Sequence, residues 1–160
     1  MYLSDNFRME ENFKINEFLT NKDDEYPTYS QVSRVSVLAT YMQKLRDALR
    51  KEIRVTSGIR SVKYNKNIGG SKNSYHIYGL ACDFELIKRV NGNAVEDYGD
   101  WTIETLLPIF ELCGFSNVGF YIRNGKFQWI HADIGIPWAD GTVGTWRSYS
   151  KTLSYQIKEV

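Results

Sequence analysis

Between about residues 31 and 50, apolar side chains recur at three- and four-residue steps: Val35, Leu38, Ala39, Met42, Leu45 and Leu49. That spacing lines one face of a helix, because a turn takes 3.6 residues. Lys51 and Glu52 end the pattern. Ile53-Arg54-Val55-Thr56-Ser57 then alternates as a short strand does, and Gly58 stops it. Residues 62–75 are rich in Asn, Gly, Ser and Lys and predict a long connection, with Gly69-Gly70 as a hinge or tight turn. Residues 80–86 predict the next strand, and Asn91-Gly92-Asn93 a turn after it. A second helix is predicted over 101–113, with Ile103, Leu106, Leu107, Phe110 and Cys113 facing the core. Asp100 would cap its start and Gly114 its end, while Pro108 predicts a kink or a split. Two apolar runs, 118–122 and 127–134, joined through Asn124-Gly125, predict a hairpin with a type I′ turn.

The ends of the chain are less regular. Phe7, Phe13, Ile15, Phe18 and Leu19 are short apolar touches expected to drape over the core, and 21–30 reads as a polar loop around Pro27. Residues 137–160, with Trp138, Trp146, Tyr149 and Tyr155, add a loop and then either a strand or a helix. The element order predicts an α+β fold, a small antiparallel sheet with helices packed on one side.

One hundred and sixty residues make one domain, 1–160, long enough to bury a core without disulfides. A hydrophobic fraction of 42% and a charged fraction of 24% are ordinary for a soluble globular chain. The net charge of +1 gives no footprint for nucleic acid. The basic run Lys44, Arg46, Arg50, Lys51 and Arg54 reads as a solvated helix face. Cys82 and Cys113 cannot form a disulfide framework; each is flanked by apolar residues, reads as a core thiol and suits a reducing compartment. The first residues carry no basic head and apolar run, and no stretch reaches the length of a membrane span. The expectation is a monomer made in the cytoplasm without a signal peptide and without membrane insertion.

The chemistry centres on the only two histidines, His76 and His131, each with an aspartate close by in sequence. Strand alternation puts Trp129, His131 and Asp133 on one face. His76 and Asp83 are an odd number of residues apart, so they converge only if the chain bends between them, and Gly79 would let it. Two neutral imidazoles and one carboxylate are the usual ligand count for a catalytic zinc with an open fourth position. Such a centre makes a hydroxide-like nucleophile near neutral pH, which points to a hydrolase. Taken singly, each His reads more readily as an ordinary semi-buried polar group than as a ligand.

Together the segments carry more. Ser74-x-His76-x-x-Gly79-x-Ala81-x-Asp83 followed by His131-x-Asp133 resembles the zinc D-Ala-D-Ala carboxypeptidase and phage endolysin peptidase family, whose metal-site fold is shared with VanX-type dipeptidases and the Hedgehog signalling domain. The stretches 55–61, 65–74 and 13–18 are similar as well, so the resemblance runs over roughly 7–135 and leaves 136–160 as an extension. It implies that His76, Asp83 and His131 bind one zinc ion, with water as fourth ligand. It implies that Arg60 lines the cleft and steadies an oxyanion or a substrate carboxylate, a task suited to its fork of charged donors. A salt bridge that pins the loop is the other reading of Arg60. Ser74 is expected to orient a ligand or contact substrate, or to be a plain turn residue; Trp129 to contact substrate; and Asp133 to orient a ligand, cap a turn or transfer a proton.

One position departs from the pattern. Many relatives place an acid three residues before the second His, as general base; here that residue is Gln128, whose amide cannot take and return a proton. Either the base lies elsewhere, Asp133 being nearest in sequence, or this branch places it differently, or the site binds without efficient turnover. The implied function is hydrolysis of peptide bonds in the stem or cross-links of peptidoglycan, as a D-Ala carboxypeptidase or an L-Ala-D-Glu endopeptidase, in a phage lysis or particle-borne setting. The alternatives are a zinc-holding module that binds wall peptide or a phage protein, and a cytoplasmic peptidase for free D-Ala-D-Ala.

Overall fold

The periodic run becomes helix α1 (Tyr29–Leu49) in a computed structural model that describes residues 7–19, 27–137, 143–144 and 153–160. Thr28 starts the helix by accepting the Gln31 N–H, and the Gln31 side chain returns the bond to the Thr28 N–H. Val35, Leu38, Ala39, Met42, Leu45 and Leu49 are all buried, as their spacing requires. Strand β1 (Glu52–Ser57) follows. The connection predicted over 62–75 holds two short helices, α2 (Val62–Asn67) and α3 (Tyr75–Tyr78). Their polar sequences have no apolar stripe to announce them, and a local cap, Ser61 accepting from Tyr64, starts α2.

Strand β2 (Ala81–Val90) turns at Asn91-Gly92, both at positive φ, into β3 (Asn93–Glu96). Helix α4 (Ile103–Cys113) is capped by Thr102, not by Asp100, and runs unbroken through Pro108. The hydroxyl of Thr102 accepts the Thr105 N–H, which sets the start two residues later than expected. The hairpin is as predicted: β4 (Asn117–Arg123) and β5 (Lys126–Asp133), with Asn124 and Gly125 both at positive φ. Short strands β6 (Ile136–Pro137) and β7 (Val143–Gly144) pair with each other, and β8 (Ser154–Glu159) resolves the tail as a strand. Trp138, Trp146 and Tyr149 lie outside the described residues.

The sheet order is β1-β2-β5-β4-β8, with β3 beside β2. Its pairings are antiparallel except β4 with β8, so the antiparallel sheet expected from the sequence gains one parallel edge. One face holds Cys82, Phe84 and Leu86 of β2, Val118 and Phe120 of β4, and Ile130 and Ala132 of β5. These pack with the inner positions of α1 and α4 and with Phe13, Ile15 and Phe18 of the N-terminal stretch in one core. The other face carries the residues between them, and there the polar chemistry collects.

Candidate metal centre

Strand register assembles the centre. Asp83 pairs with His131, which pairs with Gly119, so the three lie on one rung across β2, β5 and β4. Ser57 of β1 extends the rung beyond Asp83. His76 arrives from outside the sheet. It sits on α3, and Gly79, left-handed at φ 73°, turns the chain back into β2. A side chain at Gly79 would meet the backbone of Gln31. The bend required between His76 and Asp83 is thus present where the sequence allows it.

The three groups converge. Asp83 Oδ1 lies 2.8 Å from His131 Nδ1 and 3.3 Å from His76 Nε2. The potential ligand atoms all lie within 4.8 Å of one another. The far nitrogen of each imidazole is anchored. His76 Nδ1 is 2.8 Å from the Gly58 carbonyl oxygen, and His131 Nε2 is 3.1 Å from Asp133 Oδ2. An acceptor at the far nitrogen holds the proton there and leaves the near nitrogen's lone pair for a metal. The donor set and its anchoring therefore fit one zinc-like ion with room for a further ligand.

Further bonds fix the carboxylates. Arg60 Nη2 donates to Asp83 Oδ2 at 2.8 Å, and Arg60 Nε and Nη2 donate to Ser57 Oγ. Asp133, 3% exposed, accepts from Asn117 Nδ2 at 2.6 Å and from the Gly135 N–H at 3.2 Å on Oδ1, while Oδ2 faces His131. The two aspartates thus address opposite nitrogens of one ring. Burial disfavours charge on Asp83, but hydrogen bonds from His131 and His76, with their charges, hold its carboxyl well below the usual range. Burial pushes His76 below its ordinary value against the pull of Asp83. His131 goes the other way: burial opposes its charge, yet bonds to Asp133 and Asp83 lift it to about 9.

The remaining expected residues take distinct places. Ser74 is the N-cap residue of α3 but makes no side-chain capping bond. Trp129 lies on the face of His131, stacked on Tyr121 at a centroid distance of 4.4 Å. Gln128 is the extra residue of a bulge, since Tyr121 and Ile122 pair with Trp129 and Phe127. Its amide donates to the carbonyls of Lys126 and Phe127. The bulge lets Phe127 join the core while Trp129 turns to the opposite face. Sequence reasoning missed Ser57, Asn117, Tyr121, Tyr75 and the Gly58 carbonyl. The Tyr75 ring packs where a side chain on Gly135 would stand, and burial, with the charge of Asp133, lifts its phenol to about 12. Counting out from Asn124-Gly125 would pair Tyr121 with Gln128 and Asn117 with Ala132; the bulge at Gln128 moves both partners on by one, to Trp129 and Asp133, so none of these was open to inference.

A sequence model of the family described as Peptidase M15 matches residues 11–133. A zinc D-Ala-D-Ala carboxypeptidase from Streptomyces albus G is 44% identical over 54 residues, a stretch that covers 32% of this chain and 21% of that protein. The match thus spans about a fifth of that relative's length.

Proposed function

The chain belongs to the peptidase M15 family, and from that premise we propose that it is a zinc metallopeptidase that hydrolyses peptide bonds of bacterial peptidoglycan. One observation carries the reading: two imidazoles and a carboxylate meet at one point, each imidazole anchored at its far nitrogen. His76, Asp83 and His131 would hold zinc, which when bound supplies Lewis acidity and an acidified water. Arg60 has two tasks. Its Nη2 positions Asp83, and Nη1, which takes part in none of the bonds above, is the donor we assign to an oxyanion or a substrate carboxylate. Of the roles open to Asp133, the geometry favours orienting His131 and capping the turn at Gly135. Proton transfer suits it poorly, because both oxygens are engaged and the imidazole stands between it and the other ligands. Trp129 contacts the substrate, and Ser74 flanks the entry of His76.

Purified protein added to peptidoglycan should release new amino termini, read by mass spectrometry, and His131→Ala should abolish the release. A second reading has a specific support. Gln128, where an acid would stand, is turned into a bulge and bonded to local carbonyls. It favours a module that holds zinc and binds wall peptide without cutting it. Zinc bound in full with no release of termini would decide for that module. The setting we propose is lysis or wall penetration by a phage. Expressed beside a membrane-permeabilising protein, the chain should lyse cells only when both are present.

A further inference from the structure

Next to the rung that carries the ligands lies a second one. Arg54 pairs with Glu85, Trp129 with Tyr121, and Tyr121 with Lys158. The β2–β5 pairing at Asp83↔His131 and Phe84↔Ile130, continued by one step, sets Glu85 beside Trp129. Residues 54, 85, 129, 121 and 158 therefore form one row across five strands. On β2, β5 and β4 each stands two positions from the ligand rung, and so on the same face as Asp83 and His131.

The row has a distinct chemistry at each part. Its middle is a pair of flat rings, Tyr121 over Trp129, only 17° from parallel. Neither ring belongs to the hydrophobic core or packs against it, although Phe127, two residues from Trp129, does. At the β1 end the charges are closed on each other: Arg54 Nε donates to Glu85 Oε2 at 3.0 Å, and Nη2 joins the same oxygen. At the β8 end the charge is open. Lys158 Nζ lies 5.3 Å from the Tyr121 ring centre and 3.3 Å from its hydroxyl, and among the described residues it pairs with no carboxylate. An ammonium steadied by a ring and a phenol is placed without being neutralised.

We propose that this row reads the substrate beyond the bond that is cut: the stacked rings carry the peptide, and Lys158 takes a carboxylate borne by it. Lys158 stands two strands across and two residues along from His131, about 12 Å at ordinary strand spacing and rise. An extended peptide covers that distance in about three to four residues. The substrate class is thus an acidic peptide whose free carboxylate lies about three to four residues from the scissile bond. The proposal rests on the peptidase reading for the position of that bond, but the row's preference for acid does not.

The test uses the zinc-loaded full chain and two synthetic wall-type peptides that differ only in a carboxylate or a carboxamide at that residue. The acid peptide should show a KM lower by roughly fivefold, the size of an exposed ion pair, with kcat within about twofold. Lys158→Ala should erase the preference and Lys158→Glu should invert it, while Lys44→Ala, on α1, keeps it. Zinc content checks that each variant is folded. A preference that persists in Lys158→Ala, or none in the unaltered chain, overturns the proposal. If neither peptide is cut, calorimetric binding of the same pair decides. A Lys158-dependent preference for the acid peptide supports the row and leaves the peptidase reading alone to fall; equal binding overturns the row.

Discussion

The two faces of the central sheet are made by the same strands and obey different rules. On one, Phe84, Leu86, Phe120 and Ile130 pack against helices, and what matters is apolar volume. On the other, Asp83, His131, Asp133 and Asn117 are held by hydrogen bonds of stated partners, and what matters is register. A slip of one residue in β5 would exchange the faces, putting Ile130 where His131 stands. The core face therefore does more than stabilise. Its apolar cost of misplacement fixes the register on which the polar face depends.

That contrast can be broken from either side. The largest effect is expected for His131→Ala, which should reduce release of amino termini from peptidoglycan to background while circular dichroism shows a folded chain. Leu86→Ala, on the opposite face of β2, should cost about 2–5 kcal/mol in urea unfolding and leave zinc per folded molecule unchanged. Asp133→Asn keeps the shape but weakens the anchor on His131. A loss of about 10–100-fold in zinc affinity or activity is expected, read by competition with a chelator.

A pH series sharpens the comparison. In the metal-free protein His131 titrates at about 9, against an ordinary 6.5. Its folded value is raised, so its contribution to stability is complete below pH 6.5 and is lost as pH rises through about 9. Zinc must displace that proton, so zinc affinity should rise over the same window, by up to about tenfold per pH unit. Urea unfolding of the metal-free chain and calorimetry in two buffers of different ionisation heat should therefore show opposite trends. The smallest effect is expected for Thr102→Ala. Losing the cap of α4 should cost about 1 kcal/mol in thermal unfolding and leave hydrolysis unaltered.

How much of this could be read from the chain follows the same division. Helix α1, strands β1 and β2, helix α4 and the Asn124-Gly125 hairpin were open to reading because local periodicity and turn chemistry report them. The grouping of His76, Asp83 and His131 was open through its motif, and the bend at Gly79 through the parity of the spacing. The Asn91-Gly92 turn carried the same I′ signature as the hairpin, yet β3 was overlooked because its residues Asn93 and Glu96 are polar and it lies at an exposed edge. Tyr121, Ser57 and Lys158 could not be placed. Their positions depend on two bulges, near Thr56 and at Gln128, and on a parallel strand that arrives from the far end of the chain. Asp100 lost to Thr102 because both are good caps and only the first helical turn decides between them.

Gly58 shows how far the support of the candidate metal centre extends. Its carbonyl oxygen anchors His76, while any β-carbon there would lie 2.3 Å from the Phe18 carbonyl oxygen. The segment is squeezed between the N-terminal stretch and the imidazole, so a single methyl at position 58 must displace one or the other. The grip on an ion held at that centre would then be adjustable from a residue that bears no side chain and would not meet the ion. An engineer seeking to tune ion exchange without editing the ligands has that lever at the backbone.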